Sequence, residues 1–125
     1  MGSFTSFLYV FLGAGLGGAF RHLLVSLVNK SNGGHFFGTI SVNMIGCFII
    51  GIFLYSIQNG SGFSRNTILF LTTGFLGGFT TFSAFSAETF LYVQNNQILF
   101  AAYNILISFS SIFMTYVGYL LAKRF

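Results

Sequence analysis

The sequence predicts an all-α membrane protein of four transmembrane helices, the third broken near its middle, in a single domain over residues 1–125. Three observations predict it. Only 5% of the residues are charged and 54% are hydrophobic. A soluble domain carries about 25% charged residues, so lipid is the solvent here. Four apolar runs each come close to or exceed the ~20 residues that cross a bilayer core, and the polar connectors between them are too short for a second domain. Within the third run, residues 74–88 hold three glycines, two adjacent threonines, two serines and the only acid of the chain. Glycines weaken a helix, and hydroxyls offer its backbone other partners. Irregular backbone at membrane depth survives only where protein covers it or a wet cavity adjoins it. This stretch is therefore read as the working part of the chain.

The composition also excludes functions. The net charge of +4 comes from Arg21, Lys30, Arg65, Lys123 and Arg124 against Glu88. These cations are too few and scattered for a nucleic-acid patch and suit anionic lipid headgroups. Cys47 is the single cysteine, and His22 and His35 are distant in sequence, so neither an internal disulfide nor a metal signature is expected. No Ser/His/Asp set or phosphate loop points to an enzyme. Residues 1–6 lack the basic region of a cleaved secretory signal. A loose myristoylation pattern at the start, and glycosylation patterns at Asn29 and Asn59, are common by chance. Pro and Trp are absent, so helix breaks fall to Gly and Ser/Thr and interface anchoring to Tyr, Lys and Arg.

The first run covers residues 4–28. Gly13 with Gly17, and Ala14 with Gly18, are small residues four apart, a groove for a neighbouring helix. Arg21 follows in the same run, either snorkelling to the interface or facing a water-filled vestibule. The second run, residues 36–57, places Thr39, Asn43 and Gly46 on one helix face. Asn43 is read either as a hydrogen-bonding glue between helices or as an amide donor to an anion.

In the third run, residues 67–93, unwinding is expected near Gly77 and Gly78. It would free carbonyls on one side and start a second half-helix among Thr80, Thr81 and Ser83, which are competent caps. Half-helix ends of this kind bind ions. Phe82 and Phe85 share a face and carry electropositive ring edges, although core or lipid-facing Phe is the ordinary role in a chain with 19 of them. Glu88 is either a functional carboxylate or a structural acid paired with Arg21 or with hydroxyls. The fourth run, residues 98–122, carries Asn104, Ser108, Ser111, Thr115 and Gly118 as one stripe. It reads as a packing seam or as a ladder of donors, flanked by Tyr103 and Tyr119. With four crossings, Arg65, Lys123 and Arg124 fall on one side and Lys30, with or without Arg21, on the other. So small a bias lets the chain insert both ways.

Three blocks then show a resemblance. Gly17-Gly18-Ala19-Phe20-Arg21-His22, residues 38–48, and residues 74–86 followed by Glu88 resemble the small bacterial fluoride channels of the Fluc, or CrcB, family, in order and spacing. The resemblance covers essentially the whole chain. It implies a dual-topology homodimer of antiparallel four-helix subunits in the bacterial inner membrane, with two fluoride pores built from both subunits. It implies a structural sodium ion at the dimer interface, held by the backbone carbonyls of Gly77 and Thr80. The fluoride pathway it implies includes Asn43, Phe82, Ser83, Phe85, Ser111 and Thr115, with Thr39 and Tyr103 as further members. Arg21 would stand at a vestibule and Glu88 beside the pore. The family's basic-aromatic pair more often ends in Tyr where this chain has His22, and the fourth-helix register leaves Ser108 against Ser111, and Tyr103 against Asn104, open.

The expectation is a passive fluoride-selective channel exporting fluoride from the cytoplasm. Its rivals are a small multidrug-resistance-type transporter, a fluoride/proton exchanger using Glu88, and a non-transporting assembly subunit held by the glycine grooves. The first rival needs an acid in the first run, which has none.

Overall fold

The computed structural model describes residues 2–32 and 36–125, and among these every regular element is helical. In chain order they are α1 (Gly2–Asn32), α2 (Phe36–Gln58), α3 (Arg65–Ile68), a π-helical stretch (Leu69–Leu76), α4 (Gly77–Phe79), α5 (Phe82–Gln94) and α6 (Ile98–Arg124). Four spans are long and apolar enough to cross a membrane: Gly2–Ser31, Phe37–Gln58, Arg65–Gln94 and Ile98–Arg124. The connector expected over residues 29–35 starts later, because α1 stays helical through Asn32. Polarity marks where the bilayer ends, whereas a helix carries on while its backbone bonds are met. Residues 33–35, with His35, lie outside the described residues, as does Met1.

The other two connectors fall where the sequence places them. Gly60 and Gly62, at φ 76° and 70°, turn the second, and the Ser64 hydroxyl caps α3 by accepting from the Thr67 N–H at 3.1 Å. Left-handed backbone of this kind is free for glycine. Asn96, at φ 57°, turns the third connector.

The four spans pack as two parallel pairs. α1 runs beside the third span, from Ser6 at Asn66 to Arg21 at Thr80. α2 runs beside α6, from Gly51 at Thr115 to Gln58 at Tyr119. Glycines set both contacts. A Cβ at Gly13 or Gly17 would strike the carbonyl oxygen of Phe70 or Phe75, and one at Gly78 the carbonyl of Ala14. Gly51 and Gly118 meet the carbonyls of Thr115 and Phe48 in the same manner. Backbones thus touch directly, the close approach that small residues permit in lipid.

This contact explains a difference from the sequence reading. Gly77 and Gly78 do not unwind; they are helical, Gly77 at φ −62°, ψ −37°. Gly78 is spent on contact with α1. The extended residues are Thr80, at φ −85°, ψ 158°, and Thr81, at φ −153°, ψ 118°.

Candidate functional site

The extended pair is held by one side chain. Asn43 of α2 donates from Nδ2 to the Thr81 carbonyl at 3.0 Å and accepts the Thr81 N–H on Oδ1 at 2.7 Å. Its amide stands in for a neighbouring peptide group, so a backbone that has left the helix still has both bonds met. The Thr81 hydroxyl caps α5, accepting from the Ala84 N–H at 3.2 Å, and lies 3.1 Å from the Ser83 hydroxyl. Arg21 Nη1 donates to the Thr80 carbonyl at 3.3 Å. There is a consequence for Gly77. Its carbonyl would ordinarily accept from the N–H four residues on, that of Thr81. That N–H is turned to Asn43 instead, and Gly77 is exposed.

Two cavities adjoin the pair. A pocket of about 290 Å³, called the inner pocket, lies between α2, α5 and α6 and opens at the protomer's surface, where Phe82, Phe109 and Ile112 are exposed. Asn43, Cys47, Thr80 and Thr81 line one side; Phe82 and Phe85, with Ser108, Phe109, Ser111 and Ile112, line the rest. The α5–α6 register explains this wall. Tyr92 stacks on Phe100 at 5.9 Å between ring centroids, and Asn104 bonds Thr89. Continuing that antiparallel pairing sets Phe85 opposite Ser108 and Phe82 opposite Ser111. The two Phe rings are 5.3 Å apart at 60°. Phe85 is buried, whereas Phe82 is 76% exposed at the edge of the protomer. The hydroxyl oxygens of Ser108 and Ser111 are buried without a hydrogen-bond partner among the described residues. A buried hydroxyl left unpaired is costly and uncommon, so these two oxygens have bonding capacity to offer a partner from outside the described residues.

A wider pocket of about 570 Å³ opens on the other side of Thr81, lined by Gly18, Arg21, His22, Asn29, Thr39, Ser83 and Glu88 among others. Here the buried Thr39 hydroxyl donates to Glu88 Oε1 at 2.5 Å. Thr81 borders both cavities.

The structure therefore brings Asn43, Phe82, Phe85, Ser111 and Thr80 together at the inner pocket, and Arg21, Thr39, Ser83 and Glu88 at the outer one. Ser108 joins Ser111 on the same wall. It does not bring in Tyr103, which is 50% exposed, or Thr115, which borders neither cavity and whose carbonyl packs on Gly51. Asn104, its neighbour, is the fully buried one. Sequence reasoning gave Thr81 only a cap, although it is the hub of the site. Its partner Asn43 is 38 residues away, and a single sequence carries no signal for that pairing.

Comparison with known proteins gives a consistent result. The family described as "CrcB-like protein, Camphor Resistance (CrcB)" matches residues 8–119. Among relatives, a protein of Granulibacter bethesdensis named "Fluoride-specific ion channel FluC" is 45% identical over 98 residues, covering 78% of this chain and 77% of its own. Proteins of the same name from Flavobacterium psychrophilum and Gloeothece citriformis are 39% identical over 118 residues and 42% identical over 123 residues. They cover 93% and 94% of this chain, and 95% and 96% of their own.

Proposed function

The chain belongs to the CrcB-like family, and on that footing we propose that it is a fluoride-selective channel, passively exporting fluoride from the cytoplasm across the bacterial inner membrane. No bond is made or broken, and the chain is a channel component rather than an enzyme. The observation that carries the reading is the inner pocket: two buried, unpartnered hydroxyls face an amide and two aromatic rings across about 290 Å³.

Fluoride is small and strongly hydrated, so a pore must replace its water with close donors. Ser108 and Ser111 have hydroxyl protons to give. The Asn43 amide nitrogen has two hydrogens, of which one goes to Thr81. Phe82 and Phe85 offer positive ring edges. No full positive charge lines this pocket, which favours passage, since an ion held too tightly would not leave. The outer pocket serves as the vestibule: Arg21 attracts the anion, and the Thr39 bond to Glu88 occupies one carboxylate oxygen. Ser83 lies on the route between the cavities, whereas Thr115 and Tyr103 take part only where a second subunit completes the pore.

The functional unit in this reading is an antiparallel homodimer with two pores, the third span working as two half-helices. The exposed Phe82 and Gly77 support it, since both lie at the protomer's edge. A sodium ion at the dimer interface fits the carbonyls present. Gly77 O has lost its helical donor, and Thr80 O, bonded by Arg21, keeps a second lone pair. When bound, the ion supplies fixed positive charge between the pores; Gly77 and Thr80 would hold it.

Fluoride efflux from proteoliposomes tests the function. Fast efflux that persists without a pH gradient and excludes chloride is the expected result. Strict dependence on proton counterflow would replace the channel by an exchanger using Glu88. Drug transport without fluoride flux would point to a multidrug-type carrier, and no flux at all to an assembly subunit.

A further inference from the structure

Asn104 is buried completely, one helical turn from the inner pocket on α6. Its Nδ2 donates to Thr89 Oγ1 at 2.9 Å, and the Thr89 hydroxyl donates in turn to the Phe85 carbonyl at 2.8 Å. With the Thr89 hydroxyl proton on the Phe85 carbonyl, its oxygen accepts and Asn104 presents nitrogen. In that orientation Asn104 Oδ1 is buried without a partner among the described residues. An amide that meets only part of its bonding in the interior adds little stability, and an apolar residue of similar size would fill the space without the unmet oxygen. The bond is therefore better explained by where it holds the helices than by how strongly.

Its place is specific. α5 and α6 form a hairpin whose closed end is the turn at residues 95–97. The pocket lies toward the open end, with Phe85 on one arm and Ser108 on the other. Thr89 is four residues from Phe85, and Asn104 four from Ser108. The clasp thus sits between hinge and pocket, about 6 Å along the axis from each wall. The separation of the arms at the clasp sets the width of the pocket beyond it.

We propose that Asn104, through Thr89, is a positioning residue that sets the width between Phe85 and the Ser108–Ser111 wall, and so determines how well the pore excludes anions larger than fluoride. The inference rests on the reading of the inner pocket as a fluoride path. It assigns Asn104 no contact with the ion.

The test compares Asn104→Leu, Thr89→Val and Thr89→Ser with the wild-type chain, each reconstituted in liposomes and assayed for fluoride and chloride efflux. Both clasp-breaking variants should remain folded membrane proteins, with their fluoride-over-chloride ratio lowered by roughly three- to twentyfold, the span of a membrane interhelical hydrogen bond. Combining Asn104→Leu with Thr89→Val should lower it no further, and Thr89→Ser, which keeps the hydroxyl, should restore it. A wild-type ratio in Thr89→Val overturns the proposal, whatever Asn104→Leu does to folding. Loss of thermal stability in either variant at unchanged selectivity overturns it as well, because a purely structural clasp would behave so. A wild-type chain that passes no fluoride overturns the channel reading itself, a result distinct from both.

Discussion

At Asn43 one amide meets both backbone bonds of Thr81, and the site depends on that economy. Replacing Asn43 by Asp keeps an acceptor for the Thr81 N–H but sets the other carboxylate oxygen against the Thr81 carbonyl. It also puts a negative charge on the wall of the inner pocket, the proposed anion path. Asn43→Asp should abolish fluoride efflux and lower stability by about 1–3 kcal/mol, the cost of one buried group left unmet; liposome flux and a thermal melt in detergent measure the two. Unchanged flux would remove Asn43 from the pathway. Ser108 and Ser111 should behave oppositely, since their hydroxyls are unpaired among the described residues. Changing either to Ala removes an unmet group, so stability should hold or rise by about 1 kcal/mol. Fluoride flux should nonetheless fall roughly tenfold or more, because a hydrogen bond to an ion is worth about 1.5–3 kcal/mol. Parallel losses of flux and stability would mean that these hydroxyls are structural.

Among the elements, the glycine contacts decide how the third span sits. A Cβ at Gly17 would overlap the Phe75 carbonyl, whereas one at Gly15 meets nothing within 4 Å. Gly17→Ala should therefore cost about 1–3 kcal/mol through overpacking, and Gly15→Ala should be neutral or gain up to about 1 kcal/mol of helix propensity. Thermal unfolding in one detergent compares them; equal effects would mean that the α1 contact does not set stability. The same residues show how far the sequence could be read. The four spans were legible because a bilayer imposes length and apolarity on whatever crosses it. The groove at Gly13 and Gly17 was legible from spacing, but its partner was not. Gly78 was expected to loosen the helix and instead admits Ala14. A glycine in a helix reads the same whether it weakens the backbone or lets a neighbour approach, and only the neighbour decides. The stripe on α6 was visible, yet its division between a clasp at Asn104, a pocket wall at Ser108 and Ser111, and a packing seam at Gly118 depends on what faces each turn. The π-helical stretch over Leu69–Leu76 had no signal at all, since it is a slip in hydrogen bonding rather than a change in residue type.

The whole molecule is an incomplete object in the reading proposed here. Large apolar side chains are exposed along α1 and α6, Phe82 borders the inner pocket while mostly exposed, and Gly77 is exposed. Lipid can cover the apolar faces, but it cannot satisfy a carbonyl that has lost its donor. A second subunit in the opposite orientation can, and the sequence permits that orientation. Arg65, Lys123 and Arg124 at one membrane face stand against Lys30 at the other, with Arg21 turned inward to Thr80. The positive-inside rule works through such loop charges, so adding a few should force one insertion. Asn59→Lys with Ser61→Lys should fix the termini in the cytoplasm. Gln94→Lys with Asn95→Lys, combined with Lys123→Gln and Arg124→Gln, should fix them outside. Each variant expressed alone should protect cells poorly from fluoride and yield little flux, because every copy then points the same way. Expressed together, the two should restore both, as opposite partners become available again. Full flux from either variant alone, with its orientation verified by labelling of an introduced external cysteine, would show that the antiparallel pair is not needed and that one orientation builds the pore.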